Sequence, residues 1–238
     1  MSKFGILSKF QFLQNISSNL IAHVNPAVVH NIGKYFAIKK AFYLSSLEEI
    51  DGDYYEFGVY TGSSFSHAIR CAKSSIHLNK SFSKMHFYWY DSFEGFGKLD
   101  EKDIHFFYTD INFETDYQKV SKRIKKLIPV DQFSLIKGFF DQTLHEKASS
   151  DVRIAFFDSD TYQSSNLAFR FLEDRVKPGT IFILDDYFSY RGSKEKGVKG
   201  AFNEFVFRNK VDYRYIGFYG MGGVLLIINT IKWKINFL

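Results

Sequence analysis

Beyond residue 50 the chain alternates apolar runs with amphipathic stretches. Five apolar runs, Tyr54–Val59, Met85–Asp91, Phe133–Lys137, Arg153–Asp158 and Thr180–Asp185, predict strands. Between and after them, apolar positions at helical spacing predict helices over Ser63–Ser74, Asp116–Leu127, Tyr162–Val176 and Val198–Arg208. Two late runs, Tyr213–Gly217 and Val224–Ile228, follow one another without a helix. Strand–helix alternation with apolar strands predicts an α/β fold, a mostly parallel sheet with helices on both faces. The closing strand pair predicts an antiparallel edge.

Residues 1–50 carry apolar positions at helical spacing: Phe4, Leu7, Phe10, Leu13, Leu20 and Ile21. A break near Asn25–Pro26 divides them into two or three short helices, ending in "SSLEEI" with Ser45 or Ser46 as a cap. The turn "DGD" at 51–53 then separates an N-terminal helical segment, 1–50, from a domain over 51–238. The segment has no place in the sheet and is expected to form a lid or a homodimer contact; the alternative is helices packed permanently on the sheet face.

At 238 residues the chain fits one large α/β domain. With 45% hydrophobic residues, 24% charged residues and three prolines, a long disordered tract is excluded. The 28 phenylalanines and 15 tyrosines are spread along the chain and read as core filling. Net charge is +5, with basic stretches such as "KVSKRIKKL". Such a stretch is ordinarily a solvated helix face, no nucleic-acid-binding signature accompanies it, and no nucleic-acid partner is expected. A single cysteine, Cys71, excludes an intrachain disulfide and a thiolate zinc site and favours a reducing, cytoplasmic location. No apolar run approaches the roughly 18 residues of a membrane span.

Candidate chemistry gathers at the strand ends. "EFGVYTGSS" turns a strand into a helix through Gly58 and Gly62, where backbone can approach a ligand and free N–H groups near Ser63 can face it. A phosphate loop needs lysine after the last glycine, and Ser63 and Ser64 stand there; the dinucleotide pattern G-x-G-x-x-G is missing too. Glu56 would repel a diphosphate but suits a cationic ligand bearing an amino group and a sulfonium, which describes S-adenosylmethionine (SAM). The competing reading is a structural turn. "HFYWYDSFEGFG" ends a second strand at Asp91, a carboxylate placed either to bind ribose hydroxyls or to cap the turn.

Two more strands run into paired acids, Asp158 with Asp160 and Asp185 with Asp186. If the strands are neighbours, four carboxylates converge, which is costly unless they are paired or bound to a cation. Oxygen ligands without nearby His or Cys suit Mg²⁺, Ca²⁺ or Mn²⁺. Helix capping by Asp160 or Asp186 is the alternative for one member of each pair.

The segments "YYEFGVYTGSSF", "YDSFEGF", "IKGFFDQTL", "FFDSDTYQSS" and "PGTIFILDDY" together resemble the macrocin O-methyltransferase family, within the Rossmann-like class I SAM-dependent methyltransferases. The resemblance covers about residues 50–230. It implies that Glu56, Gly58, Thr61, Gly62 and Ser63 line the methionine part of SAM. It also implies that Asp91 holds the ribose, with Ser92 and Phe93 beside the adenosine and Gly138 and Phe139 near the adenine. Asp158 or Asp160 with Asp185 and Asp186 would hold a divalent metal such as Mg²⁺, with Asp158 also beside the cofactor. The family's base histidine lies between "DSFEG" and the third strand, where His105 is the one histidine of this chain. An exposed loop histidine is the competing reading, and a free oxygen of Asp158 or Asp160 is the alternative base. Ser63 stands where the family commonly has glycine and Tyr60 where it has tryptophan, departures that bear on the substrate. The expected function is methylation of a hydroxyl on a small molecule, sugar or glycan. The rivals are a non-catalytic SAM- or nucleotide-binding module and a nucleotide-dependent dehydrogenase.

Overall fold

The computed structural model describes residues 10–109, 113–145 and 147–231; the predicted helical positions Phe4 and Leu7 lie outside them. Two helices come first, α1 (Gln11–His23) and α2 (Pro26–Leu47), followed by β1 (Asp53–Phe57), α3 (Ser63–Ser75) and β2 (Phe87–Asp91). The one-turn α4 (Phe106–Thr109) and α5 (Tyr117–Ile124) lead to β3 (Phe133–Lys137) and the short α6 (Phe140–Thr143). β4 (Val152–Phe157), α7 (Tyr162–Leu172), β5 (Ile181–Leu184), the short α8 (Ser189–Gly192) and α9 (Gly197–Asn209) complete the alternation. β6 (Asp212–Tyr219) and β7 (Gly223–Thr230) close the chain.

The seven strands form one sheet in the order β3-β2-β1-β4-β5-β7-β6. β1 to β5 pair in parallel, and β7 is antiparallel to both β5 and β6. The order reverses between β1 and β4, and ligands of open α/β sheets sit outside the strand carboxyl ends at such a switch point.

Alternation along β1 sorts its side chains to opposite faces. Tyr54 joins the core beneath α2 and α3, while Tyr55 and Phe57 join the core beneath α7 and α9. Phenylalanine fills the second core in a continuous stack. Ring centroids lie 5.4 Å apart for Phe57–Phe157, 4.1 Å for Phe157–Phe169 and 5.2 Å for Phe169–Phe205. Each such ring contributes about 1.5–3 kcal/mol by burial, which accounts for much of the unusual aromatic content.

The N-terminal region departs from expectation. Past the Asn25 cap, whose side chain accepts from the Ala27 N–H, the sequence forms one 22-residue helix instead of short pieces. Ser45 and Ser46 are not caps. Both are buried within α2, and their hydroxyls donate to the Phe42 carbonyl, the back-bonding that lets serine sit inside a helix. The C-terminal half of α2 is part of the first core through Ala37, Ile38, Ala41 and Phe42. Among the described residues no helix is long and apolar enough to cross a membrane.

Candidate active site

The first glycine turn is shaped by its neighbours. Gly58 has φ +82°, and a Cβ there would lie 2.1 Å from the Asp158 carbonyl oxygen. Only glycine lets β1 and β4 remain this close as they leave the sheet. Gly62 begins α3 in the left-handed region, φ +75°, with its α-carbon packed toward Trp89 and Val120.

Two carboxylates fix this turn. Asp91 Oδ2 accepts the Val59 N–H at 2.6 Å and the Tyr60 N–H at 3.1 Å, while Oδ1 accepts the Phe93 N–H at 2.6 Å. Burial pushes its carboxyl up, and these backbone donors oppose the rise. Glu56 is fully buried; Tyr54 donates to Oε2 at 2.6 Å and Ser64 to Oε1 at 2.5 Å. Burial pushes Glu56 up to about 7 despite both hydrogen bonds. Glu56 therefore ties β1 to the first turn of α3.

The four aspartates do converge, and they divide into two unlike pairs. Asp158 and Asp185 share one ammonium: Lys34 Nζ lies 2.9 Å from Asp158 Oδ2 and 2.5 Å from Asp185 Oδ2. Asp185 also contacts His30 Nε2 at 3.1 Å and accepts from the Tyr219 hydroxyl at 3.2 Å. Burial pushes Asp185 up, but Lys34 and His30 outweigh it and hold the carboxyl below the usual carboxylate range. Burial raises Asp158, and Lys34 offsets that only in part. Burial also works against the Lys34 charge, yet the two carboxylates overcome it and keep the ammonium protonated.

Asp160 and Asp186 form the second pair. Both have positive φ, +59° and +48°, a left-handed conformation that costs roughly 1–3 kcal/mol in a non-glycine residue. Their carboxyls meet, and burial followed by the Asp186 charge pushes Asp160 well above the usual range. Among the described residues no lysine, arginine or histidine makes an ion pair with either. Asp158, Asp160 and Asp186 each offer one oxygen, all within 4.8 Å of one another. Three carboxylate oxygens are a donor set that fits a hard divalent cation.

These features surround one cavity of about 800 Å³ at the strand ends. Gly58, Thr61, Ser63, Asp91, Ser92, Phe139 and all four aspartates line it. Glu56, Gly62, Phe93 and Gly138 are not among its lining residues; the first two stand behind the wall, in the contacts given above. His105 is not among them either. Its ring packs on Phe106, Tyr108 and Tyr190, and its Nδ1 accepts the Phe107 N–H at 3.3 Å.

Sequence reasoning missed the contribution of α2, which brings Pro26, Ala27, His30, Asn31 and Lys34 to the cavity. It also missed an aromatic group, Tyr60, Phe96, Phe107, Tyr108 and Phe113, on its wall. The four-residue step from His30 to Lys34 puts both on one helix face, and that was the available signal.

A mixed sheet with its cavity at the switch point of the parallel strands, a glycine turn and an acid cluster defines a ligand site of the open α/β class. The sequence matches the family model for Macrocin-O-methyltransferase (TylF) over residues 36–213, and the chain belongs to that family. It is accordingly a SAM-dependent O-methyltransferase. The fold is similar to that of the O-methyltransferase NovP: TM-score 0.65 at 20% identity, covering 84% of this chain and 80% of that one. It is also similar to the calicheamicin methyltransferase CalS11, with TM-score 0.65 at 14% identity, covering 93% and 88%. A second, apo structure of CalS11, there described as a TDP-rhamnose 3'-O-methyltransferase, gives a TM-score of 0.56 at 14% identity, covering 93% and 89%. No curated protein matches the chain.

Proposed function

We propose that the protein methylates a hydroxyl of a sugar or sugar-bearing small molecule, with a divalent cation such as Mg²⁺ at the strand-end aspartates. The observation that carries this reading is the shared cavity. Asp91 and the turn around Thr61 and Ser63 line the same space as Asp158, Asp160 and Asp186. Its size suits a cofactor and a modest acceptor together. The sugar assignment draws on what the family and CalS11 are named for.

Thr61, Ser63, Asp91, Ser92 and Phe139 would hold SAM, with Glu56, Gly58, Gly62, Phe93 and Gly138 setting the backbone behind them. Asp158, Asp160 and Asp186 would hold the metal, with Asp185 keeping Lys34 and His30 in register. A bound divalent cation would supply Lewis acidity, lowering the pKa of an acceptor hydroxyl. The chain's own work is to align that oxygen with the S–CH₃ bond. As the O–CH₃ bond forms and the S–CH₃ bond breaks, the hydroxyl proton passes to a carboxylate oxygen, and S-adenosylhomocysteine leaves. Asp160 is the better base than His105, because Asp160 lines the cavity and His105 does not.

Residues 1–50 act in this reading as a cover over the cavity or a homodimer contact. The support is α2's place on the cavity and the exposed apolar side chains of α1, including Phe12, Leu20 and Ile21. A lone buried cysteine accords with a cytoplasmic enzyme. The test is transfer of labelled methyl from SAM across a panel of sugars and glycosides, with Mg²⁺ and with EDTA. Methylation that Mg²⁺ restores after EDTA supports the reading, and full turnover in EDTA refutes the metal's part in it.

A further inference from the structure

One of the proposed metal ligands, Asp158, already has a cation against it, and it belongs to the chain. The Lys34 side chain is 12% exposed, with Nζ against Asp158 Oδ2 at 2.9 Å, Asp185 Oδ2 at 2.5 Å and the Phe156 ring centroid at 5.5 Å. The helix that carries it is held close. A Cβ on Gly33 would lie 2.5 Å from the Gly220 nitrogen, so α2 touches the β6–β7 turn backbone to backbone. One turn away, His30 Nδ1 accepts the Met221 N–H at 3.1 Å. A backbone N–H can only donate, so Nδ1 is unprotonated, and Nε2 is the nitrogen that donates to Asp185. His30 and the glycine contact fix the backbone of α2 over the strand ends. Lys34 alone has a flexible four-carbon stem that can withdraw.

We propose that Lys34 is a tethered cation that competes with the divalent metal for Asp158, so that metal enters only as the ammonium swings away. Asp158 is the one member of the 4.8 Å oxygen triad that Lys34 touches. An ammonium 2.9 Å from a ligand oxygen would lie within a few ångströms of a bound divalent ion. Like charges at that range repel strongly at a partly desolvated site. The arrangement keeps Asp158 and Asp185 compensated without metal, and it lowers metal affinity by an internal competitor. His30 and Tyr219 remain on Asp185 after Lys34 leaves, so that acid stays partnered in both states.

This inference rests on the reading of the acid cluster as a metal site, and the experiment separates the two. Mn²⁺ binding to the full chain is followed by electron paramagnetic resonance for the wild type, Lys34→Met and Lys34→Arg. In parallel, an amine-reactive reagent labels the wild type with and without saturating Mn²⁺, and labelling of Lys34 is read by mass spectrometry. Lys34→Met, similar in length and uncharged, should bind Mn²⁺ at least tenfold more tightly than wild type, and Lys34→Arg should not. Lys34 labelling should rise severalfold on Mn²⁺ binding, a result that needs no variant to fold. If wild type and Lys34→Met bind Mn²⁺ equally and Lys34 labelling is unchanged, the metal site stands and the competition is overturned. If no protein binds Mn²⁺, the metal reading falls and the inference with it.

Discussion

Lys34 on the second helix and Asp185 at the end of the fifth strand form a buried ion pair, 2.5 Å between nitrogen and oxygen. Removing one partner of such a pair leaves the other charge buried with less compensation, which costs about 3–5 kcal/mol. Asp185→Ala should therefore lower the urea midpoint substantially. Lys34→Met combined with it should cost less than the sum of the two single changes. Additive losses in this double-mutant cycle would show that the pair is not coupled.

Glu56 gives a pH dependence with a definite sign. Its folded pKa, about 7, lies above the value of about 4.5 for an ordinary glutamate. The folded protein therefore holds this proton more tightly than the unfolded chain. The group's contribution to stability is greatest below about pH 4.5, falls between pH 4.5 and 7, and is constant above that. The span corresponds to about 3 kcal/mol. Glu56→Gln can still accept from Tyr54 and can donate to the Ser64 oxygen, and it removes the titration. Urea unfolding from pH 4.5 to 8 should show the wild type losing ground to this variant as pH rises. A constant difference between the two would contradict this account of the residue.

Asp91 holds the turn, and in the proposed reading it also holds SAM. Its oxygens accept three backbone N–H groups, and a hydrogen bond to a charged group contributes about 1.5–3 kcal/mol net. Asp91→Ala should lower stability by a few kcal/mol and weaken SAM binding at least tenfold by calorimetry. Unchanged SAM affinity in a folded variant would remove the residue from the cofactor site.

Asp160→Asn keeps the shape of the side chain and removes its basicity together with its charge at the proposed metal site, so turnover is read at saturating Mg²⁺. Turnover should fall about 10²–10⁴-fold, the usual worth of a positioned base, while SAM affinity stays within a few-fold of wild type. Undiminished turnover would assign the base elsewhere.

The parts legible in the sequence are those where local pattern and tertiary position coincide. Strand β3 has the predicted bounds, and the other strand ends differ by a residue or two, because each apolar run is bounded by turn chemistry. The aspartates were legible because a strand followed by an acid places that acid at the sheet edge whatever the topology. Lys34 and His30 were not. Their spacing marks one helix face, but nothing local says that this face meets β4 and β5, more than a hundred residues away. Asp91 and Glu56 were legible as carboxylates beside the glycine turn, but Glu56 is buried behind the cavity wall instead of on it, and their partners Val59, Tyr60 and Ser64 appear only once the turn is folded. His105 was drawn in by its position in the chain order, and its ring lies among aromatics instead of on the cavity lining.

The most direct test of the central claim, that SAM binds in the strand-end cavity, is ultraviolet crosslinking of methyl-labelled SAM to the full chain, followed by peptide mapping. It requires no knowledge of the acceptor. The label should fall on peptides containing Tyr60–Ser64, Ser92–Phe96 or Phe139–Phe140, and excess unlabelled S-adenosylhomocysteine should abolish it. Saturable, competed label confined to peptides away from this cavity would contradict the account.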